Sequence, residues 1–302
     1  MRETSILIVG AGPAGCSAAV QCARLGVRPV LIDRSGAAGG LVAGAWLVEN
    51  YPGPEHPLRG ADFAVRLAEH LARFDVSVER SELARIEPEG DRWIARTERG
   101  ELRARCALVC TGTEPLPLRV GGLEKTADRV FRGARELLEE FPRPRRAAVI
   151  GGGEAAFDGA LALAEAGAEV SVLVRADRPR AGGRLAELLS REPRARLRTR
   201  CRVRRLEPVA GGAALYVETP AGEELLEVDA LLAALGRRAA LGRLVPALRG
   251  EGGPLPLEPR LGLLVCGDAR LGSLGQAGIA VGDGLQAAAR AVRLVLGEEE
   301  RR

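Results

Sequence analysis

No two of the six cysteines in this 302-residue chain stand in CxxC spacing, and no cluster of histidine and cysteine forms. A zinc site or a redox dithiol of that kind is therefore not expected. Cys106 and Cys110 would share one face of a strand, but two pleat repeats separate them by roughly 13 Å, too far for a disulfide. The cysteines read as small core residues. Histidine is equally scarce: His56 and His70 are the whole supply, so histidine-based acid–base catalysis has few candidates. Of 44 basic residues only Lys125 is a lysine, and the net charge is +4. That balance does not mark a nucleic-acid protein. The arginine excess fits a GC-rich genome. No apolar run approaches the roughly 18 residues a membrane span needs. The start of the chain runs directly into a strand and a glycine turn instead of a signal peptide, so a cytoplasmic protein is expected.

What the chain does have is alternation. Ser5–Val9 and Arg28–Ile32 read as strands around a helix of small residues at Pro13–Leu25. Arg146–Ile150, Glu154–Ala166 and Glu169–Val174 repeat the unit about 140 residues later. Strand–helix alternation predicts parallel α/β architecture, here with a duplicated βαβ unit. Pro-rich stretches at Glu114–Pro117 and Gly252–Pro259 read as crossings or surface loops. Leu263–Arg290 reads as strand, turn and helix completing one of the units.

Both units carry a glycine turn. In the first, Gly10, Gly12 and Gly15 follow a strand and open a helix together with Pro13 and Ala14. The three glycines would serve a tight turn, close approach of a pyrophosphate, and helix–strand packing. The helix N-terminus then faces the phosphates. Asp33 ends the next strand, followed by Arg34, where a carboxylate can accept hydrogen bonds from ribose hydroxyls. Cys16 sits in the first turn of this helix and is the one candidate reactive thiol, although a pyrophosphate would oppose its thiolate.

The second turn, Gly151, Gly153, Glu154, Ala155 and Ala156, places alanine third, an accepted variant. Its following strand ends on Arg175, with Arg178 and Arg180 close behind. Arginines there suit a 2′-phosphate, which predicts NADPH, with NADH the alternative.

With these segments in place the chain resembles the low-molecular-weight thioredoxin reductase family over nearly its whole length. Gly39-Gly40-Leu41, Val48–Gly53, Thr111-Gly112, Gly236, Cys266-Gly267-Asp268 and Gln276-Ala277 carry the resemblance beside the two turns. It implies two three-layer Rossmann-type domains, with an NAD(P) domain at 115–239 inserted into a discontinuous FAD domain of 1–114 and 240–302. It also implies that Asp268 holds the ribityl or phosphate region of FAD, that Gln276-Ala277 starts a helix aimed at the isoalloxazine, and that Asn50 lies near the ring. Gly40, Leu41, Thr111, Gly112, Gly236 and Gly267 join the cofactor-contacting set on the same ground. A homodimer is the expected assembly.

The chain departs from that family where its dithiol belongs. Counting back from Gly151 without a gap, the two cysteine positions fall on Ala134 and Leu137. Leu41 stands for the usual Gln, Gly275 for an Arg, Ala155 for a Ser, and Ala176 interrupts paired arginines. The leading expectation is hydride transfer from NADPH to FAD and onward to an external acceptor: a ferredoxin- or flavodoxin-like carrier, a quinone or oxygen. A small-thiol disulfide reductase using one cysteine and a non-catalytic flavin-holding sensor are the alternatives. In the glycine-turn version of the former the thiol occupies the place of Ala14, and Cys16 is displaced from it by about 200° of helix. Finally, Arg194, Arg196, Arg198, Arg200, Arg202 and Arg204 alternate with other residues, which predicts one strand with all six on one face. The stripe reads either as a solvated strand face or as a docking stripe for an acidic electron carrier.

Overall fold

The computed structural model describes residues 2–239, 241–248, 255–272 and 275–297. They form two compact units. One comprises Met1–Ala43, Val48–Glu114 and Arg237–Arg302, the other Gly44–Leu47 and Pro115–Gly236.

The first unit is built on parallel strands in the order Val78–Arg80, Val30–Asp33, Arg2–Val9, Gly100–Val109 and Leu263–Val265. The early half of Gly100–Val109 also pairs antiparallel with Arg92–Thr97, which pairs with Leu83–Glu89. The central strand is apolar without alternation because both its faces are buried. Ile6 and Ile8 enter one core, Leu7 and Val9 the other. The helices Pro13–Arg24 and Ala277–Leu296 lie together on the first of these cores. Small residues let them approach: a side chain at Gly284 would collide with the Ala14 carbonyl. The Ser17 hydroxyl donates to the Val281 carbonyl at 3.1 Å. Leu263–Arg290 thus supplies a strand, a short helix Asp268–Leu271 and the long helix of this unit, with residues 273–274 outside the described residues.

The second unit has a five-stranded parallel sheet in the order Ala195–Arg198, Glu169–Leu173, Arg146–Ile150, Ala230–Ala233 and Val130–Phe131. The helix Glu154–Glu165 packs on it through Ala156, Phe157, Ala160, Leu161 and Leu163. An antiparallel sheet of Arg202–Val209, Gly212–Thr219 and Gly222–Val228 completes the unit. Both parallel sheets are of the Rossmann-type α/β class.

Two boundaries differ from the sequence reading. Gly44–Leu47, placed by sequence in the first domain, packs with the second unit because the Asp158 carboxylate accepts the Trp46 and Leu47 N–H groups at 2.8 and 3.2 Å. Residues 237–239 pack with the first unit, where the Arg237 guanidinium donates to the Thr113 hydroxyl and carbonyl at 3.0 and 2.6 Å. The boundary at Ala240 and residues 252–254 of the Pro-rich stretch lie outside the described residues.

The arginine alternation is not one strand. It breaks between Ala195–Arg198 and Arg202–Val209, where Arg200 takes a left-handed φ of +54°. Four of the six arginines meet carboxylates: Arg194 with Glu169, Arg198 with Glu224, Arg200 with Asp177 and Arg204 with Glu218. The six therefore do not make a single charged face. No described helix is long and apolar enough to cross a membrane.

Candidate functional site

The first glycine turn is closed behind and open in front. Gly10 sits at φ +103°, and a side chain there would collide with the Cys110 carbonyl. One at Gly15 would collide with the Gly10 carbonyl, whereas nothing lies within 4 Å of a Cβ at Gly12. Gly12 is the N-cap of the Pro13–Arg24 helix and offers no side-chain cap. The first N–H groups of the helix and its positive dipole end thus remain for an anion. Gly40 backs onto Gly12, its Cβ position 3.0 Å from the Gly12 Cα. Leu41 beside it is 56% exposed.

Asp33 is bound to its own surroundings. One carboxylate oxygen accepts the Ala11 N–H at 2.9 Å; the other accepts the Ser35 N–H at 2.8 Å and the Ser35 hydroxyl at 2.6 Å. The carboxylate is thereby oriented at the turn, and Arg34 beside it is exposed.

The turn Cys266-Gly267-Asp268 comes to the same helix start, since a Cβ at Gly267 would lie 3.1 Å from that of Ala14. Burial pushes the Asp268 carboxyl above the usual carboxylate range, and the charge of Arg237 pulls it back in part. Burial in turn lowers the Arg237 guanidinium. Gly275, where the resemblance has an arginine, has its Cβ position on the Asp268 carboxylate, so a side chain there would require this turn to move. Asn50 and Gln276, 226 residues apart in sequence, share a hydrogen bond of 3.1 Å from the Asn50 amide to the Gln276 carbonyl oxygen. Gln276 is the N-cap of the helix starting at Ala277. Thr111 adds a buried hydroxyl with no hydrogen-bond partner among the described residues, next to Gly112 at φ +64°.

An open helix N-terminus, an orphaned buried hydroxyl and a desolvated carboxylate suit a ligand carrying phosphate and hydroxyl groups. The first-unit residues named from sequence are thus brought together. Arg237, Arg270 and Asp283 were not named from sequence. Their partners lie across turns or, for Arg237 and Thr113, 124 residues away, and no local pattern announces them.

Cys16 is not an exposed thiol. It is 1% exposed and donates to the Ala11 carbonyl at 3.1 Å, and burial pushes its pKa up to about 12. Every cysteine of the chain is buried.

In the second unit Gly151, at φ +148°, abuts the Ala234 carbonyl much as Gly10 abuts Cys110. Ala156 takes the third glycine's place as a buried residue of the Glu154–Glu165 helix; Glu154 and Ala155 in its first turn are exposed. Gly153 caps that helix without a side-chain bond. The N–H groups of Arg180 and Ala181 both reach the Gly152 carbonyl, at 2.6 and 2.9 Å. That contact folds the arginine segment over the turn and leaves the Arg180 guanidinium 3.7 Å from the Cβ position of Gly153. Arg175 is exposed at the strand end, and among the described residues neither it nor Arg180 pairs with a carboxylate. Gly236, beyond the Ala230–Ala233 strand, stands at φ +103°, and its carbonyl accepts the Leu116 N–H at 2.9 Å. Ala134 and Leu137, where the resemblance has cysteines, form the buried face of the Ala134–Glu140 helix.

A family model described as pyridine nucleotide-disulphide oxidoreductase matches residues 4–250. The chain is 28% identical to the thioredoxin reductase of Treponema pallidum (strain Nichols) over 296 residues, 95% of each protein. With the ferredoxin–NADP reductase of Ignicoccus hospitalis it shares 32% identity over 194 residues, 63% of this chain and 62% of that protein. Its match to the thioredoxin reductase of Helicobacter pylori (strain J99) spans 55% of that relative's length at 29% identity. Among solved structures, thioredoxin reductase from Lactococcus lactis superimposes with a TM-score of 0.87 at 25% identity, covering 97% of this chain and 99% of that one.

Proposed function

Because the chain belongs to the pyridine nucleotide-disulphide oxidoreductase family, whose members use FAD and NAD(P)H, we propose that it passes electrons from NADPH through FAD to an external acceptor. A ferredoxin- or flavodoxin-like carrier, a quinone or oxygen would fill that role. One observation carries the reading: no cysteine has CxxC spacing and every cysteine is buried, so the chain has no exposed thiol to relay electrons. Bound FAD supplies hydride acceptance and electron release.

The chain's own residues bind and orient. The open Gly12 face and the helix N-terminus at Pro13 take the pyrophosphate. Asp268 accepts from a ribityl hydroxyl and Asp33 from a ribose hydroxyl, while Arg237 compensates phosphate charge nearby. In the second unit Gly151, Gly153 and Ala156 seat the nicotinamide dinucleotide, with Arg175 and Arg180 on its 2′-phosphate. The burial of Cys16 disfavours the single-cysteine disulfide reductase.

The partner in assembly is a second copy. The helix Gly60–Arg73 exposes Ala61, Val65, Ala68 and Ala72 as one stripe beside Asp62, Arg66, Glu69 and Arg73. An antiparallel copy would set Asp62 against Arg73 and Arg66 against Glu69.

Anaerobic titration with NADPH tests the proposal. Flavin absorbance should bleach and return on adding one member of an acceptor panel. A flavin that stays oxidised under excess NADPH would overturn it in favour of a flavin-holding role.

A further inference from the structure

Asp283 is the one carboxylate among the fully buried polar residues described, at 7% exposure. It stands in the Ala277–Leu296 helix, two turns below Gln276, and each of its contacts goes to one neighbouring turn. One carboxylate oxygen accepts the Gly267 N–H at 3.0 Å and the Arg270 Nε at 3.0 Å; the other accepts Arg270 Nη2 at 2.6 Å. Arg270 is 19% exposed along its side chain. Its remaining nitrogen donates to the Leu255 carbonyl at 3.2 Å, and its own carbonyl accepts the Leu255 N–H at 3.2 Å.

A buried ion pair is weak evidence for stability, since apolar residues of similar volume often serve as well or better. Helix packing here does not call for one. Gly284, Ala287, Ala288 and Ala291 already seat this helix in its core, with Gly284 against the Ala14 carbonyl. What the pair adds is direction. It grips Gly267 by its N–H and Arg270 by its side chain, on either side of Asp268. The site's desolvated carboxylate therefore projects from a turn fixed at both ends. Asp283 also fixes this turn to the helix that Gln276 caps, so one carboxylate sets the spacing between two elements of the candidate site.

We propose that the Asp283–Arg270 pair is a positioning device that orients Asp268 and the Gln276 end of the helix toward the ribityl chain and ring of a bound flavin. The proposal rests on the FAD reading above. Asp283 acts through Asp268 and has no place at the reacting atoms.

The test compares three full-length holoproteins by their rate of FAD release and their thermal midpoints. The double variant Asp283→Leu with Arg270→Met keeps the volume and removes the direction. It should hold its midpoint within a few degrees yet release FAD faster, by on the order of 10- to 100-fold, the size expected when a charge-assisted contact is misaligned. Asp283→Glu, which keeps the charge and the bidentate acceptor, should recover part of that loss. A double variant that retains FAD as the wild type does, or one whose FAD loss follows its unfolding, overturns the positioning role alone. A folded wild type that binds no added FAD overturns the cofactor reading, and the proposal with it.

Discussion

The two glycine turns have the same backbone plan and differ in what stands at the end of the following strand. In the first, Asp33 is drawn inward, bound to Ala11 and Ser35 around the turn. In the second, Arg175 is exposed and pairs with no carboxylate among the described residues, and Arg180 folds back over Gly153. A carboxylate can be held by main-chain N–H groups; a guanidinium has only donors and cannot. On the proposed reading the strand end beside the first turn therefore suits hydroxyls, while that beside the second keeps its donors for an anion. The third turn position differs too. Gly15 has no room for a methyl group, whereas Ala156 is accommodated.

The strongest way to break this comparison is to make the turns alike. Gly15→Ala would drive a methyl into the Gly10 carbonyl, costing about 3 kcal/mol. Purified protein should be colourless and take up little FAD. Ala156→Gly in the other turn should cost about 1 kcal/mol and leave NADPH-dependent flavin reduction nearly intact. Equal losses in the two would remove the distinction.

A second, smaller effect isolates the carboxylate. Asp268→Ala should weaken FAD retention by about 1–3 kcal/mol, read as a dissociation constant by flavin fluorescence. Its pH dependence follows from burial. In the flavin-free protein the Asp268 carboxyl is raised. A hydroxyl donating to the carboxylate favours the ionised form and lowers that pKa on binding. Affinity should therefore rise with pH between the bound and free values and level off above them. Asp268→Asn should flatten the rise; a wild-type profile that is already flat refutes the assignment.

The arginine end can be sharpened in kinetics. Replacing Arg175 and Arg180 by glutamine should raise KM for NADPH by roughly 10-fold or more while moving that for NADH little. A parallel shift for both nucleotides means these side chains do not read a 2′-phosphate. The smallest effect is expected from Arg196 and Arg202, the two stripe arginines without a carboxylate partner among the described residues. Changing both to glutamine should lower reduction of an acidic carrier at low salt by about 2- to 3-fold and flatten its salt dependence, as loss of steering requires. An unchanged salt slope means they are only surface.

Both turns were legible in sequence because their requirement is local: a glycine, a helix start and a strand end lie within one short stretch. The strands and helices around them fall within a few residues of the sequence reading for the same reason. The arginine stripe misled because alternation is blind to one backbone dihedral. Arg200 in a left-handed conformation ends the run, and four carboxylates from other elements neutralise much of it. Asn50 and Gln276 were named separately from resemblance, but their hydrogen bond needs the fold. The Asp283–Arg270 pair was invisible, since a buried acid in an alanine-rich helix looks like any solvated one until its turn is closed. Trp46 shows the same limit: only packing assigns its segment to the second unit.

The cysteines carry a final consequence. Cys16, Cys22, Cys106, Cys110 and Cys266 share one core; burial pushes Cys16 and Cys22 to about 12, and a hydrogen bond with Cys266, with burial beside it, raises Cys110 well above the usual thiol range. At neutral pH a thiol at that value is ionised in roughly one molecule in 10⁵. Peroxides attack the thiolate. Were the proposed flavin to pass electrons to oxygen, the peroxide formed would find almost no thiolate at Cys16 and Cys22, and their oxidation would not set the protein's working life.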